Sequence, residues 1–84
     1  MNNKAIKTYN NIYKNPIQSD ISWKDIEKLF LALGATISEG NGSRVRVMLN
    51  GAMAVFHRPH PEGNTDKGAI KSVRKFLENA GVQL

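Results

Sequence analysis

The sequence predicts an α+β domain in which two helices cover one face of a three-stranded antiparallel sheet, in the order α-β-β-β-α. Two observations support this prediction. One segment after Ser22 and another before Gly81 repeat apolar residues at helical spacing. Between these segments, apolar and polar residues alternate as they do in strands with one buried face. We expect residues 1–20 to form an N-terminal arm or short helix and residues 21–84 to form one domain.

The helix after Ser22 has start and stop signals at both ends. Ser22 and Asp25 have the spacing of a capping box, in which side chains bind the free backbone amides of the first turn. Gly34 predicts a left-handed C-cap. The stripe that should face the core contains Ile26, Leu29, Phe30 and Leu33.

The segments 43–49 and 52–57 read as two strands of a hairpin, because they flank the type I′ turn signal Asn50-Gly51. A two-residue turn fixes the register, so Arg44 should lie opposite His57, about 5 Å away at Cβ. Residues 45, 47 and 49 should face the core together with 52, 54 and 56. The other face of the hairpin then carries Arg44, Arg46, Met48, Met53, Val55 and His57.

The last helix is predicted between a cap at Thr65 or Asp66 and a stop at Gly81. Four cations recur at spacings that place them on one helix face. This face is either simply solvated or a contact for phosphates. Its members are Lys67, Lys71, Arg74 and Lys75.

Charge and composition narrow the function classes. The chain has 84 residues and a net charge of +5, of which +4 lies in residues 43–84 together with all four arginines. A basic half suggests nucleic acid or an acidic partner, although a solubilising surface explains the charge equally well. The absence of cysteine excludes disulfide and thiol chemistry and is typical of a reducing cytosol. No apolar run is long enough for a membrane span, and the N-terminus does not resemble a secretory signal.

The segment VFHRPHPEGNTDKG, residues 55–68, contains both histidines of the chain. His57 and His60 could act as base and acid near neutral pH, and RNA cleavage by the 2′-hydroxyl needs such a pair. A cation for the phosphorane charge could come from Arg44, Arg46 or Arg58. The alternative is two surface histidines in a connection between a strand and a helix.

Other kinds of site have less support. A zinc site would have to recruit Glu62 and Asp66, which makes a poor ligand set, so we expect no metal and no other cofactor. The apolar residues Met48, Met53 and Val55 stand on a basic face and should be covered, either by the N-terminal arm or by another protein.

The chain resembles the HicA family of toxins in two segments, ISWKDIEKLFLALGATISEGNGSRVRV and VFHRPHPEGNTDKGAIKSVRKFLENAGV. The resemblance covers about residues 21–82 and includes the turn with Gly-Ser and the segment Pro59-His60-Pro61. It implies a fold like that of double-stranded-RNA-binding domains and metal-free cleavage of mRNA. It also implies neutralisation by a HicB-type antitoxin in the bacterial cytoplasm.

The chain departs from the family pattern at one position. Family members usually carry the catalytic histidine after the Gly-Ser pair, where this chain has Arg44 and Val45. Our hypothesis is that His57, opposite Arg44, takes the place of that histidine and that His60 is its partner. Arg46, Arg58, Lys67, Lys71, Arg74 and Lys75 would then contact RNA. The alternative is a non-catalytic module of the same fold that binds RNA or a protein partner.

Overall fold

The computed structural model describes residues 1–59 and 63–84 and confirms the predicted order of helices and strands. The N-terminal arm forms a helix, α1 (Asn3–Ile12), and the domain begins with α2 (Trp23–Ala32). The strands β1 (Thr36–Glu39), β2 (Arg44–Leu49) and β3 (Ala52–His57) follow, and α3 (Lys67–Asn79) is the last helix. Among the described residues, no helix is long and apolar enough to cross a membrane.

The strands form an antiparallel sheet in the order β1-β2-β3. Asn50 and Gly51 both have positive φ, 50° and 83°, as the predicted type I′ turn requires. The predicted register is confirmed throughout the hairpin, and it pairs Arg44 with His57 and Val45 with Phe56. Because the register is set by the turn, the two faces of the sheet separate into an apolar and a mixed side.

The core lies between the apolar side of the sheet and the helices. Val45 and Val47 are fully buried, and Phe56 stacks on Phe30 with 5.7 Å between the ring centroids. Trp23 packs against both of these phenylalanines, and α3 contributes Ile70, Val73, Phe76 and Leu77. The alternating strand pattern and the helical stripes therefore bury most of the residues that the sequence assigned to the core. Leu33, Ala52 and Ala54 are only partly buried and pack against its edge.

The ends of the helices differ in part from the prediction. Gly34 follows α2 with φ of 93°, as expected for a left-handed C-cap residue. Ser22 is the N-cap of α2, but its side chain makes no capping hydrogen bond, so the predicted capping box is wrong. Ser22 is instead held by a β-bridge to Asn64. Asp66 is the N-cap of α3, and its carboxylate accepts a 2.7 Å hydrogen bond from the amide of Ala69.

The helix α1 packs against α2 and α3, with Ala5, Thr8 and Ile12 buried. The sequence left open whether this segment or another protein covers the apolar residues on the basic side of the hairpin. Its contacts are with the other two helices, so it belongs to the helical side of the molecule. Met48, Met53 and Val55 consequently stay exposed.

Candidate functional site

The outward side of the hairpin carries both charged and apolar side chains, and we call it the open face. It consists of Arg44, Arg46, Met48, Met53, Val55 and His57, all of which are exposed. Met48 and Met53 pair across the two strands and are 51% and 58% exposed, and the neighbouring Val55 is 50% exposed. Isolated apolar residues on a surface are ordinary, but three adjacent ones on a basic face suggest that something covers them.

One groove on the open face is lined by two arginines. It has a volume of about 320 Å³ and lies between the β1–β2 turn and the start of β2. Among the described residues, neither Arg44 nor Arg46 has a carboxylate partner. Two guanidinium groups without an ion-pair partner can donate bidentate hydrogen bonds to an anion such as a phosphate. The groove is lined by Ser38, Glu39, Gly40, Asn41, Arg44, Val45, Arg46 and Val55.

His57 lines a second groove, of about 240 Å³, between β3 and the first two turns of α3. Asp66 and Ser72 contribute the polar side chains opposite it. A neighbouring groove of about 270 Å³ continues along β3 and includes Lys75. Val55 lines all three grooves, so the arginines and the histidine border a continuous strip of surface around this residue.

The cations predicted on the last helix divide into two groups. Lys67, Lys71 and Lys75 are exposed on α3, as expected for a solvated or phosphate-binding face. Arg74 is half-buried and donates hydrogen bonds of 2.7 and 2.9 Å to the backbone carbonyls of Ile12 and Lys14. Its guanidinium also stands 5.6 Å from the centre of the Tyr13 ring, within range of a cation–π contact. Arg74 therefore connects α3 to the end of α1.

Arg58, which the sequence assigned to phosphate binding, has two carboxylate partners. Its Nε donates to Glu27 Oε2 at 2.7 Å, and its Nη1 donates to Glu39 Oε1 at 2.6 Å. Nη2 donates to the second oxygen of each carboxylate, at 3.2 and 2.8 Å respectively. The hydrogen bonds to Glu27, and then those to Glu39, raise the pKa of Arg58. We call these three residues the Arg58 cluster.

Sequence reasoning missed the acidic members of the Arg58 cluster and the contact between Tyr13 and Arg74. Glu27 lies on α2 and Glu39 ends β1, so neither is near Arg58 in the chain. The one local signal is the spacing of Trp23 and Glu27, four positions apart on a helix, and the Trp23 indole N–H does donate to Glu27. Nothing in the sequence relates Glu39 to Arg58.

The remaining candidates fall partly outside the described residues. His60 and Glu62 belong to the segment 60–62, so the pairing of His57 with His60 stays a prediction. Among residues 1–59 and 63–84, no group of three histidine, aspartate or glutamate side chains has a metal-binding arrangement.

Comparison with known proteins identifies one family. The model of the family described as "HicA toxin of bacterial toxin-antitoxin" matches residues 23–82. A search of curated proteins and a search of solved structures found no match. The matched range extends from the first residue of α2 to just beyond α3, and it includes both arginines and the histidine of the open face. The chain therefore belongs to the HicA family of toxins of bacterial toxin–antitoxin systems.

Proposed function

We propose that this toxin binds mRNA on its open face and cleaves it, and that a HicB-type antitoxin in the same cytoplasm neutralises it. The pairing of Arg44 with His57 carries the proposal. It joins a permanent cation to an imidazole, the side chain that most often acts as a general base, on an exposed surface of a basic domain. Membership of the HicA family supports the same conclusion.

The proposed reaction starts from the ribose 2′-hydroxyl next to the scissile phosphate. His57 takes the proton of that hydroxyl, and the oxygen attacks phosphorus while the bond to the 5′-oxygen breaks. His60 gives a proton to the departing 5′-oxygen, so the products are a 2′,3′-cyclic phosphate and a free 5′-hydroxyl. The Arg44 guanidinium stabilises the negative charge that develops on the phosphorane oxygens.

Binding of the RNA strand is assigned to cations that have no protein counter-charge among the described residues. Arg46 extends the arginine groove, and Lys67, Lys71 and Lys75 present exposed ammonium groups on α3. Contacts of this kind attract the phosphate backbone without reading the bases, so affinity should fall steeply with salt. Arg58 and Arg74 have protein partners, and we assign them structural roles in this proposal.

The antitoxin contact is assigned to Met48, Met53 and Val55. Met48 and Met53 pair at the turn end of the hairpin, next to the pair formed by Arg46 and Val55, and each of the three apolar side chains is at least half exposed. Apolar surface of this kind is typical of the centre of a protein interface, with charged residues at its rim. A charge at position 53 should therefore weaken binding of the antitoxin.

Cleavage of RNA by purified protein in EDTA tests the enzymatic part. We expect wild-type protein to cut RNA, and His57→Ala to be slower by about 10²–10⁴-fold. Lys28→Ala, a change on the exposed side of α2, should keep the wild-type rate. Induced expression of His57→Ala should likewise restore growth that the wild type arrests.

Three results would contradict the proposal in different ways. Equal cleavage and equal toxicity of wild type and His57→Ala would exclude His57 as the base. Loss of wild-type cleavage in EDTA would mean that the reaction needs a metal. Salt-sensitive RNA binding without any cleavage would support the alternative function, a non-catalytic RNA-binding module. That alternative exists because the chain lacks the usual histidine after Gly-Ser.

A further inference from the structure

The Arg58 cluster lies directly beside the two residues assigned to catalysis. Arg58 follows His57 in the chain, and its backbone amide donates a 2.9 Å hydrogen bond to the carbonyl of Ser43, the residue before Arg44. The amide of Gly40 donates a 2.9 Å hydrogen bond to the carbonyl of Arg44. The end of β1, the start of β2 and the end of β3 therefore meet at one end of the sheet.

The end of a hairpin ladder normally opens more easily than its centre, because fewer contacts hold it. Here the side chain of Arg58 crosses this end and binds carboxylates from two further elements. Each carboxylate accepts from two guanidinium nitrogens, an arrangement that fixes orientation as well as distance. Glu27 in turn accepts from the buried Trp23, whose ring contacts Phe56 on β3.

We infer that Arg58 is a positioning residue: with Glu27 and Glu39 it holds the backbone that presents Arg44 and His57 to the RNA, and it does not itself bind phosphate. The inference rests on the proposed cleavage reaction. It differs from the assignment made from the sequence, in which Arg58 contacts RNA. The two assignments make opposite predictions when a carboxylate of the cluster is neutralised.

The substitution Glu39→Gln tests the inference, since Glu39 is 65% exposed and the fold does not depend on its burial. The change removes a negative charge, so RNA affinity should stay equal or increase. The variant also loses the paired hydrogen bonds between Arg58 and the Glu39 carboxylate. We therefore expect the cleavage rate at saturating RNA to fall by on the order of 10- to 100-fold, because small displacements of catalytic groups slow a reaction strongly. Glu78→Gln, the same charge change at an exposed position of α3, is the matched control and should keep the wild-type rate.

Hydrogen exchange provides a readout that does not depend on cleavage. In Glu39→Gln we expect the amides of Gly40 and Arg58 to exchange about ten times faster, as expected for a ladder end that opens more often. The amide of Ala80, which donates to Phe76 in the last turn of α3, should exchange as in the wild type. Arg58→Lys keeps the positive charge, but an ammonium cannot donate paired hydrogen bonds to two carboxylates. This variant should therefore show both the slower cleavage and the faster amide exchange.

The outcomes separate this inference from the proposed function. Equal rates and equal exchange in Glu39→Gln and Glu78→Gln would overturn the positioning role. Faster exchange with an unchanged cleavage rate would also overturn it, since the ladder end would then be irrelevant to catalysis. A wild type that binds RNA without cutting it would contradict the proposed function, and the exchange data would still decide whether the Arg58 cluster holds the end of the ladder.

Discussion

The four arginines of the chain divide into two pairs with different surroundings. Arg44 and Arg46 line a groove and form no ion pair among the described residues, since the one carboxylate in the groove lining, that of Glu39, binds Arg58. Arg58 and Arg74 are half-buried, and their guanidinium groups bind carboxylates and backbone carbonyls. All four arginines contribute equally to the net charge. The net charge alone therefore does not identify which cations are available to a ligand.

The largest expected difference between the pairs concerns cleavage. Arg44→Met should lower the cleavage rate by roughly 10²–10³-fold, the usual loss when one group that stabilises transition-state charge is removed. Its free energy of unfolding should stay within about 0.5 kcal/mol of the wild type, because an exposed side chain without partners is removed. RNA cleavage assays and urea denaturation measure the two quantities. If Arg44→Met cleaves RNA at the wild-type rate, Arg44 does not take part in catalysis.

The next largest effect concerns the stability contributed by Arg58. Arg58→Met should lower the free energy of unfolding by about 2–3 kcal/mol, since Glu27, only 21% exposed, loses its charged partner. Urea denaturation of this variant beside Arg44→Met makes a matched comparison, because both remove one guanidinium and keep an aliphatic stem. If the two variants have equal free energies of unfolding, Arg58 does not contribute more to stability than Arg44, and the prediction is wrong.

A smaller effect is expected for the attachment of α1 through Arg74. Arg74→Met removes the hydrogen bonds to the carbonyls of Ile12 and Lys14 and the contact with the Tyr13 ring. We expect a loss of about 1–2 kcal/mol and faster proteolysis within residues 1–15. Lys71→Met on the exposed face of α3 should change neither. If residues 1–15 of Arg74→Met are cut by protease as slowly as in the wild type, Arg74 does not attach α1 to the rest of the domain.

The smallest effect is a change in stability at alkaline pH. Burial, with smaller contributions from Tyr9 and Glu78, raises the pKa of Tyr13, whose hydroxyl donates a 3.4 Å hydrogen bond to the carbonyl of Arg74. The neutral phenol is thus favoured in the folded state. Its contribution to stability is complete below the unfolded pKa of about 10 and is lost as the pH rises through the folded value.

Tyr13→Phe provides the comparison for this pH dependence. The difference in unfolding free energy between wild type and Tyr13→Phe should shrink as urea denaturation is repeated from pH 8 to about pH 11. A difference that stays constant over this range would show that the hydroxyl does not titrate differently in the folded and unfolded states.

Much of the fold could be predicted because its signals are local. The Asn50-Gly51 turn and the alternation around it were enough to place Arg44 opposite His57, since a two-residue turn leaves one register that buries the apolar side chains. The helical stripes likewise follow from spacing within one element. The capping box is the local signal that failed, since the Ser22 side chain makes no capping hydrogen bond. The backbone of Ser22 forms a β-bridge with Asn64, a tertiary contact that no local pattern contains.

The candidate site could be predicted only where it depends on the same hairpin. The open face of Arg44, Arg46 and His57 follows from register and period. The cations were assigned from charge and from spacing within one element, and neither of these reveals that Glu27 on α2 and Glu39 on β1 bind Arg58.

The amino-acid sequence by itself determined the α-β-β-β-α order, the hairpin register, the excess of positive charge and the family. Each of these depends on neighbours in the chain or on totals. The tertiary structure alone decided which arginines have carboxylate or carbonyl partners, and it placed α1 against α2 and α3 rather than over the open face. The physical reason is that an ion pair depends on the distance between two side chains in the folded molecule. Glu27 and Arg58 are 31 positions apart along the chain, so local sequence patterns do not relate them.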